Sequence, residues 1–299
     1  MLRQEALTAE AVLEPSPWTL MQRRILGHWG FLFGALVLGL ILAIALLAPL
    51  LAPYDPYAQD LSRRLFGPFW HAKYNAAHWL GTDGLGRDYL SRLIYGTRIS
   101  LLIGFAAMAI SGVIGTTLGV VAGYFGGKVD LAITFLITLR LSMPVVLVAL
   151  AVVALVGGSL TVVILVLGFL LWDRFAVVMR SATQQARVMD YVTAAQAAGC
   201  STPRILLSEI LPNVFNHLIV IATIEMAHAI LLEAALSFLG LGVQPPLPSW
   251  GLMVAEGKNF MLFSPWIITL PGLALFLLVL AINLLGDGMR DVSAPESRN

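Results

Sequence analysis

The run Trp29-Gly-Phe-Leu-Phe-Gly-Ala-Leu-Val-Leu-Gly-Leu-Ile-Leu-Ala-Ile-Ala-Leu-Leu-Ala-Pro-Leu-Leu-Ala52 contains no charged side chain. A helix rises 1.5 Å per residue, so about 20 apolar residues cross a hydrocarbon layer of about 30 Å. The run is therefore a bilayer span. It is too long and starts too late for a cleaved signal peptide, and no small-residue cleavage site follows it. Five further apolar stretches recur along the chain, at about 99–124, 130–156, 160–180, 213–241 and 265–286. The predicted fold class is all-α, a polytopic membrane protein of six transmembrane helices. An even number of spans puts both termini on one side.

Composition agrees. The 299 residues carry 18 Lys or Arg and 17 Asp or Glu, 12% charged against 59% hydrophobic. A soluble domain carries roughly 25% charged residues, so most of this surface is made for lipid. A net charge of +1 leaves no basic surface for nucleic acid. A single cysteine, Cys200, excludes an intramolecular disulfide and any multi-cysteine metal site.

Within the spans, Gly104, Gly112, Gly115 and Gly119 lie at spacings that let helices approach closely in lipid. Pro144 and Pro271 are expected to kink or break their helices. With the termini inside, nine Lys or Arg fall on inner segments and seven on outer ones, and Arg23 and Arg24 directly precede the first span. The positive-inside rule thus leans towards cytoplasmic termini. Residues 1–28 and 292–299 read as polar tails.

The first loop, about 53–98, contains His78-Trp-Leu-Gly-Thr-Asp-Gly-Leu-Gly-Arg-Asp88. Its glycines do not make a P-loop, which needs a Lys followed by Ser or Thr at the start of a helix. They are expected to make tight turns before an interfacial helix, with Asp88 and Arg92 paired at four-residue spacing. His71 and His78 stand without further metal ligands, and no metal site is expected. Neither a serine nucleophile motif, HExxH nor a Walker A sequence occurs, so no catalytic residue is assigned. ATP, if used, is hydrolysed on another chain.

Between the fourth and fifth spans, residues 187–203 read Arg-Val-Met-Asp-Tyr-Val-Thr-Ala-Ala-Gln-Ala-Ala-Gly-Cys-Ser-Thr-Pro. The alanines favour helix, Gly199 suits a left-handed stop, and Ser201 or Thr202 with Pro203 starts another helix that Pro212 interrupts. On its residues alone this segment is either a connecting loop or a smooth rod seated in a partner's groove. The fifth span holds Glu225, His228 and Glu233, which either line a polar path or hold helices together. Arg140 is in reach of a partner carboxylate, and Asp173 and Arg174 fall near the inner end of the fourth span.

Ala194, Ala195, Gly199, Leu211 and Pro212 resemble, in register, the EAA motif of permease subunits of bacterial ABC importers. Thr193 stands where that motif has Glu, and Glu209 where it has Ile. The stretches 78–96, 233–251, 271–274 and 283–291 are similar, in the same order, to the dipeptide/oligopeptide/nickel permease family, most of all to the "C" permeases of dipeptide importers. This resemblance implies the type I importer architecture in a bacterial inner membrane with both termini cytoplasmic. It implies a second related permease, two ATP-binding subunits that carry ATP and Mg, and an extracytoplasmic substrate-binding protein. The chain itself would bind no cofactor. Asp190, Thr193, Ala194, Ala195, Ala198 and Gly199 would couple to the ATPase. Peptide cargo is implied, with nickel chelates, glutathione or another small solute as alternatives. A self-sufficient transporter using Glu225, His228 and Glu233 as a proton relay is the reading from a different class.

Overall fold

The computed structural model describes residues 25–293. The predicted tails at 1–28 and 292–299 therefore lie outside it, except for residues 25–28, 292 and 293. Ten helices carry the architecture: α1 (Trp29–Leu46), α2 (Tyr89–Phe125), α3 (Gly127–Leu141), α4 (Val145–Val156), α5 (Leu160–Leu170), α6 (Trp172–Ala186), α7 (Asp190–Ala197), α8 (Leu211–Phe238), α9 (Trp250–Gly257) and α10 (Trp266–Ser293). Among the described residues no strand forms. Five stretches are long and apolar enough to cross a membrane: α1, α2, α5 with α6, α8 with the turns before it, and α10. The pair α3 and α4, bent by 80° at the break before Pro144, makes a sixth when counted as one span.

The second apolar stretch lies inside a much longer helix. Asp88 caps α2 by accepting from the Ser91 amide at 2.8 Å, so the helix begins at Tyr89. Its 37 residues reach about 55 Å, well beyond the hydrocarbon layer. The expected interfacial helix is thus the N-terminal end of a span. The expected Asp88–Arg92 pair does not form, because Asp88 is occupied by Ser91 and by His78 at 2.8 Å. Arg92 turns instead to Asp83 at 2.8 Å and Glu256 at 2.9 Å, and Arg87 joins the same two carboxylates. This buried clasp ties the glycine-rich loop to α9. Gly86 adopts φ +75°, and a Cβ there would lie 1.8 Å from the Asp60 carbonyl oxygen, so the loop accepts only glycine.

Inside the membrane α2 is the central helix. Gly115, Gly119 and Gly123 face α6, where added Cβ atoms would fall 2.2, 2.6 and 2.7 Å from the carbonyl oxygens of Trp172, Ala176 and Arg180. The four-residue spacing lays one backbone directly on the other. Gly104 makes room for the Ile230 side chain of α8, whereas Gly112 meets Phe175 only at ordinary van der Waals distance. Towards the C-terminal end of α2 in this contact, Arg180 Nη2 donates to Asp130 at the start of α3, at 2.6 Å.

The three prolines behave differently, and the freed carbonyls explain it. Pro144 ends α3 with a sharp bend, as expected. Nearby, Arg140 donates to the carbonyls of Leu170 and Met143 rather than to a carboxylate, because the end of α5 presents open acceptors. Pro271 sits inside an unbroken α10. It has no N–H for the Ile267 carbonyl, and the buried Tyr89 hydroxyl donates to that oxygen instead. Pro212 does not interrupt its helix either. A π-helical segment, Ile205–Ile210, precedes it, and the Leu211 amide reaches back five residues to Leu206. The wider turn accommodates the proline ring, so the helical path runs from Thr202 to Phe238.

The start of α1 meets the end of α10 through His28 and Asp291 at 3.0 Å. Gly34 and Gly288 let these two antiparallel helices touch. Both described ends of the chain therefore share one side of the bundle with α7.

Two outcomes test this packing. Gly119→Ala will lower the thermal unfolding midpoint of the purified protein, at a cost of about 1–3 kcal/mol, measured by scanning fluorimetry. Gly39→Ala, where a Cβ meets nothing within 4 Å, will not. Tyr89→Phe will cost about 1–3 kcal/mol by stranding the Ile267 carbonyl. Adding Pro271→Ala will restore part of that loss by supplying an amide; no recovery would refute the pairing.

Candidate coupling surface and polar pathway

Helix α7 follows from its residues. Ala198 ends it, Gly199 turns left-handed at φ +76°, and the amides of Gly199 and Cys200 bond back to Gln196 at 3.0 Å and Ala195 at 3.1 Å. This double bond pattern is a Schellman stop, with Cys200 packed near Ala195 as the motif requires. Ser201 then opens the next helix with Pro203 in its first turn.

Only Val192 of α7 is fully buried. It enters a cluster formed by Val120 of α2, Met179 and Ala182 of α6, and Ile210 and Val214 around the start of α8. Asp190, Thr193, Ala194, Ala198 and Gly199 face outward, and Ala195 is half-buried. Arg187 Nη1 donates to the Tyr124 carbonyl at 2.9 Å, which ties the segment to the end of α2. The result is a short rod, smooth on its open side and pinned through one valine to three membrane helices. Val188, Met189 and Tyr191 are exposed beside it.

The polar residues of α8 do not converge on one point. Glu225, fully buried, accepts from Arg174 Nη1 at 3.1 Å and lies 3.4 Å from His228 Nδ1. Glu233, also buried, accepts from Ser237 at 2.7 Å and from Ser249 at 2.9 Å, and Gly251 lets α9 lie directly against its carboxyl. The two carboxylates thus serve different neighbours, eight residues apart on one helix. Arg174 falls in the middle of its span and not at the inner end, because helix α6 continues to Ala186. A charge at that depth costs about 2.5–3.5 kcal/mol on insertion scales unless it meets a partner or a cavity. Glu225 is that partner.

Residues 115–299 match the family described as the inner membrane component of binding-protein-dependent transport systems. The chain belongs to this permease family. Residues 16–71 match, in addition, the N-terminal transmembrane domain of oligopeptide transport permease C. The permease is 41% identical to the di/tripeptide transport system permease protein DppC of Pseudomonas aeruginosa, over 97% of this chain and 95% of that one. It is 40% identical to the dipeptide transport system permease protein DppC of Haemophilus influenzae, over 89% and 90%. It is also 38% identical to the glutathione transport system permease protein GsiD of Pectobacterium atrosepticum, over 95% and 93%. A chain of the MetNI methionine ABC transporter, solved in inward-facing conformations, shares the fold with a TM-score of 0.57 and 19% identity, covering 68% of this permease and 97% of that chain.

Of these features, the stop at Gly199 is written in local sequence. The Arg174–Glu225 pair is not, since the residues lie 51 positions apart. The signal available was the depth of Arg174 within a helical stretch that does not end at residue 180.

Ala194→Trp will leave the permease inserted and folded, because Ala194 is exposed, yet will strongly reduce solute uptake. Val192→Ala will instead destabilise the protein by about 1–3 kcal/mol, as truncation of a buried side chain does. Normal uptake by the Ala194 variant would exclude α7 from coupling.

Proposed function

We propose that this permease forms half of the translocation pathway of a bacterial importer for dipeptides or short oligopeptides. The observation that carries the reading is the smooth, outward-facing rod α7, pinned at Val192 to α2, α6 and the start of α8. It sits in a chain that has no nucleotide-binding motif of its own. Such a rod is suited to rest in a groove on an ATP-hydrolysing subunit. Movement of that subunit would then carry α6 and α8 as one body, and alternating access follows from rigid rocking of bundles.

In this reading a second, related permease supplies the other half of the path. Two cytoplasmic subunits bind ATP and Mg, and an extracytoplasmic binding protein delivers the solute. The protein resides in the cytoplasmic membrane, with the side that carries α7 and both termini facing the cytoplasm. Glu225 and His228, with Arg174, belong to the path, while Glu233 borders it from the outer side. Likeness to dipeptide and di/tripeptide permeases supports peptide cargo. Likeness to a glutathione permease supports a second cargo of similar chemistry, a short peptide with free carboxylates.

Affinity purification of the tagged chain from gently solubilised native membranes will recover a second permease and Walker-motif ATPases. The complex in liposomes will take up labelled dipeptide only with ATP and binding protein. A chain that purifies alone and transports without ATP would overturn the subunit reading in favour of an ion-coupled carrier.

A further inference from the structure

Arg174 is placed oddly for a residue whose sole task is to neutralise Glu225. Glu225 is wholly enclosed, yet the Arg174 side chain is 50% exposed. A guanidinium carries five N–H donors in a rigid fork. The structure gives Arg174 one hydrogen bond to protein, from Nη1 to Glu225 Oε1 at 3.1 Å. The remaining donors make no hydrogen bond among the described residues. Carboxylates are the partners that a fork of this shape binds best.

One helical turn from it begins a groove of about 480 Å³ lined by α6, α8 and α10. Val178, one turn beyond Arg174 on α6, and Ile224, next to Glu225 on α8, form its upper wall. Asn213, Asn216, His217 and Arg290 line it towards the side that carries α7, and no acidic side chain lines it. Arg290 has no ion-pair partner among the described residues. A cavity with amide donors, a histidine and an arginine, and without a carboxylate, is built for a solute that carries negative charge. Arg174 and Glu225 each lie one helical turn beyond a lining residue, Val178 on α6 and Ile221 on α8, so the pair stands just past one end of the groove.

We propose that Arg174 receives the carboxylate of the transported solute and passes it into this groove. Glu225 acts as a positioning residue: its enclosed charge holds the arginine's orientation and cancels one charge at mid-membrane without itself reaching the solute. The site reads the acid group, because the groove adds amides, a histidine, an arginine and aliphatic walls but no carboxylate. The proposal rests on the reading of α6 and α8 as part of the path.

The test uses the complete importer in liposomes, with ATP and binding protein. Uptake of a dipeptide is compared with uptake of its C-terminal amide, each normalised to occupancy of the binding protein measured separately. The wild type will favour the acid by about tenfold or more, the range expected for one charge-assisted contact. Arg174→Gln with Glu225→Gln, which removes both charges of the pair together, will bring that ratio close to one in an assembled complex. Arg174→Lys will keep part of the preference. An unchanged ratio in the assembled double variant overturns the carboxylate role. Ile224→Trp separates the underlying pathway reading: it will block acid and amide alike, whereas normal uptake of both would place the path elsewhere.

Discussion

Direct contact between the backbones of α2 and α6 is the constraint on which the half of the permease that carries α7 depends. Gly115, Gly119 and Gly123 bring α2 against the carbonyls of Trp172, Ala176 and Arg180. Lipid supplies no hydrophobic drive for helices to associate, so close packing and well-placed polar contacts must do it. The same contact line carries Arg180, whose ion pair with Asp130 fixes the start of α3, and it ends beside Arg187, which bonds the last carbonyls of α2. Val192 enters just there. The rod α7 is rigid with respect to the membrane helices because it is planted where two of them already touch.

Backbone satisfaction governs the remaining shape. In lipid, a carbonyl freed by proline has no water to turn to. Three prolines meet this requirement in three ways. Pro144 turns the chain by 80°. Pro212 is preceded by a π turn whose bonds reach one residue further. Pro271 leaves α10 intact because Tyr89, at the head of α2, lends its hydroxyl to Ile267. The last solution also locks α10 to the N-terminal end of α2, close to the clasp of Asp83, Arg87, Arg92 and Glu256. The end of the bundle opposite α7 is therefore held by buried polar contacts, and the end that carries α7 by glycine packing with one ion pair.

Features that depend on a few neighbouring residues were legible in the sequence. Apolar length revealed the membrane helices, and Gly199 after an alanine-rich run revealed the stop of α7. Features that depend on distant partners were not. Asp88 and Arg92 have the spacing of a helix pair, but Asp88 is used as a cap and Arg92 finds Glu256, 164 positions away. Pro271 has the look of a kink, and only a tyrosine 178 positions from Ile267 prevents one. Arg174 was placed at a membrane boundary because polar residues after 180 imitate the end of a span. In the structure those residues continue α6 to Ala186, and its last turns pack against the C-terminal part of α2.

The position of Arg174 also bears on how a single helix pair serves both packing and passage. A carboxylate at mid-membrane must be neutralised, and removing its partner would leave a buried charge that the fold does not tolerate well. Here the carboxylate is the enclosed member and the arginine the open one. Had the exposures been reversed, the open group would repel an acidic solute and attract cations. In the proposed role, the pair stays neutral overall while its open member offers positive donors towards the groove. A rocking motion of α6 with α8 would move both partners together, since both helices converge on the cluster around Val192. If α7 is the coupling element, the polar contact would survive the change of access, and the groove alone would open or close.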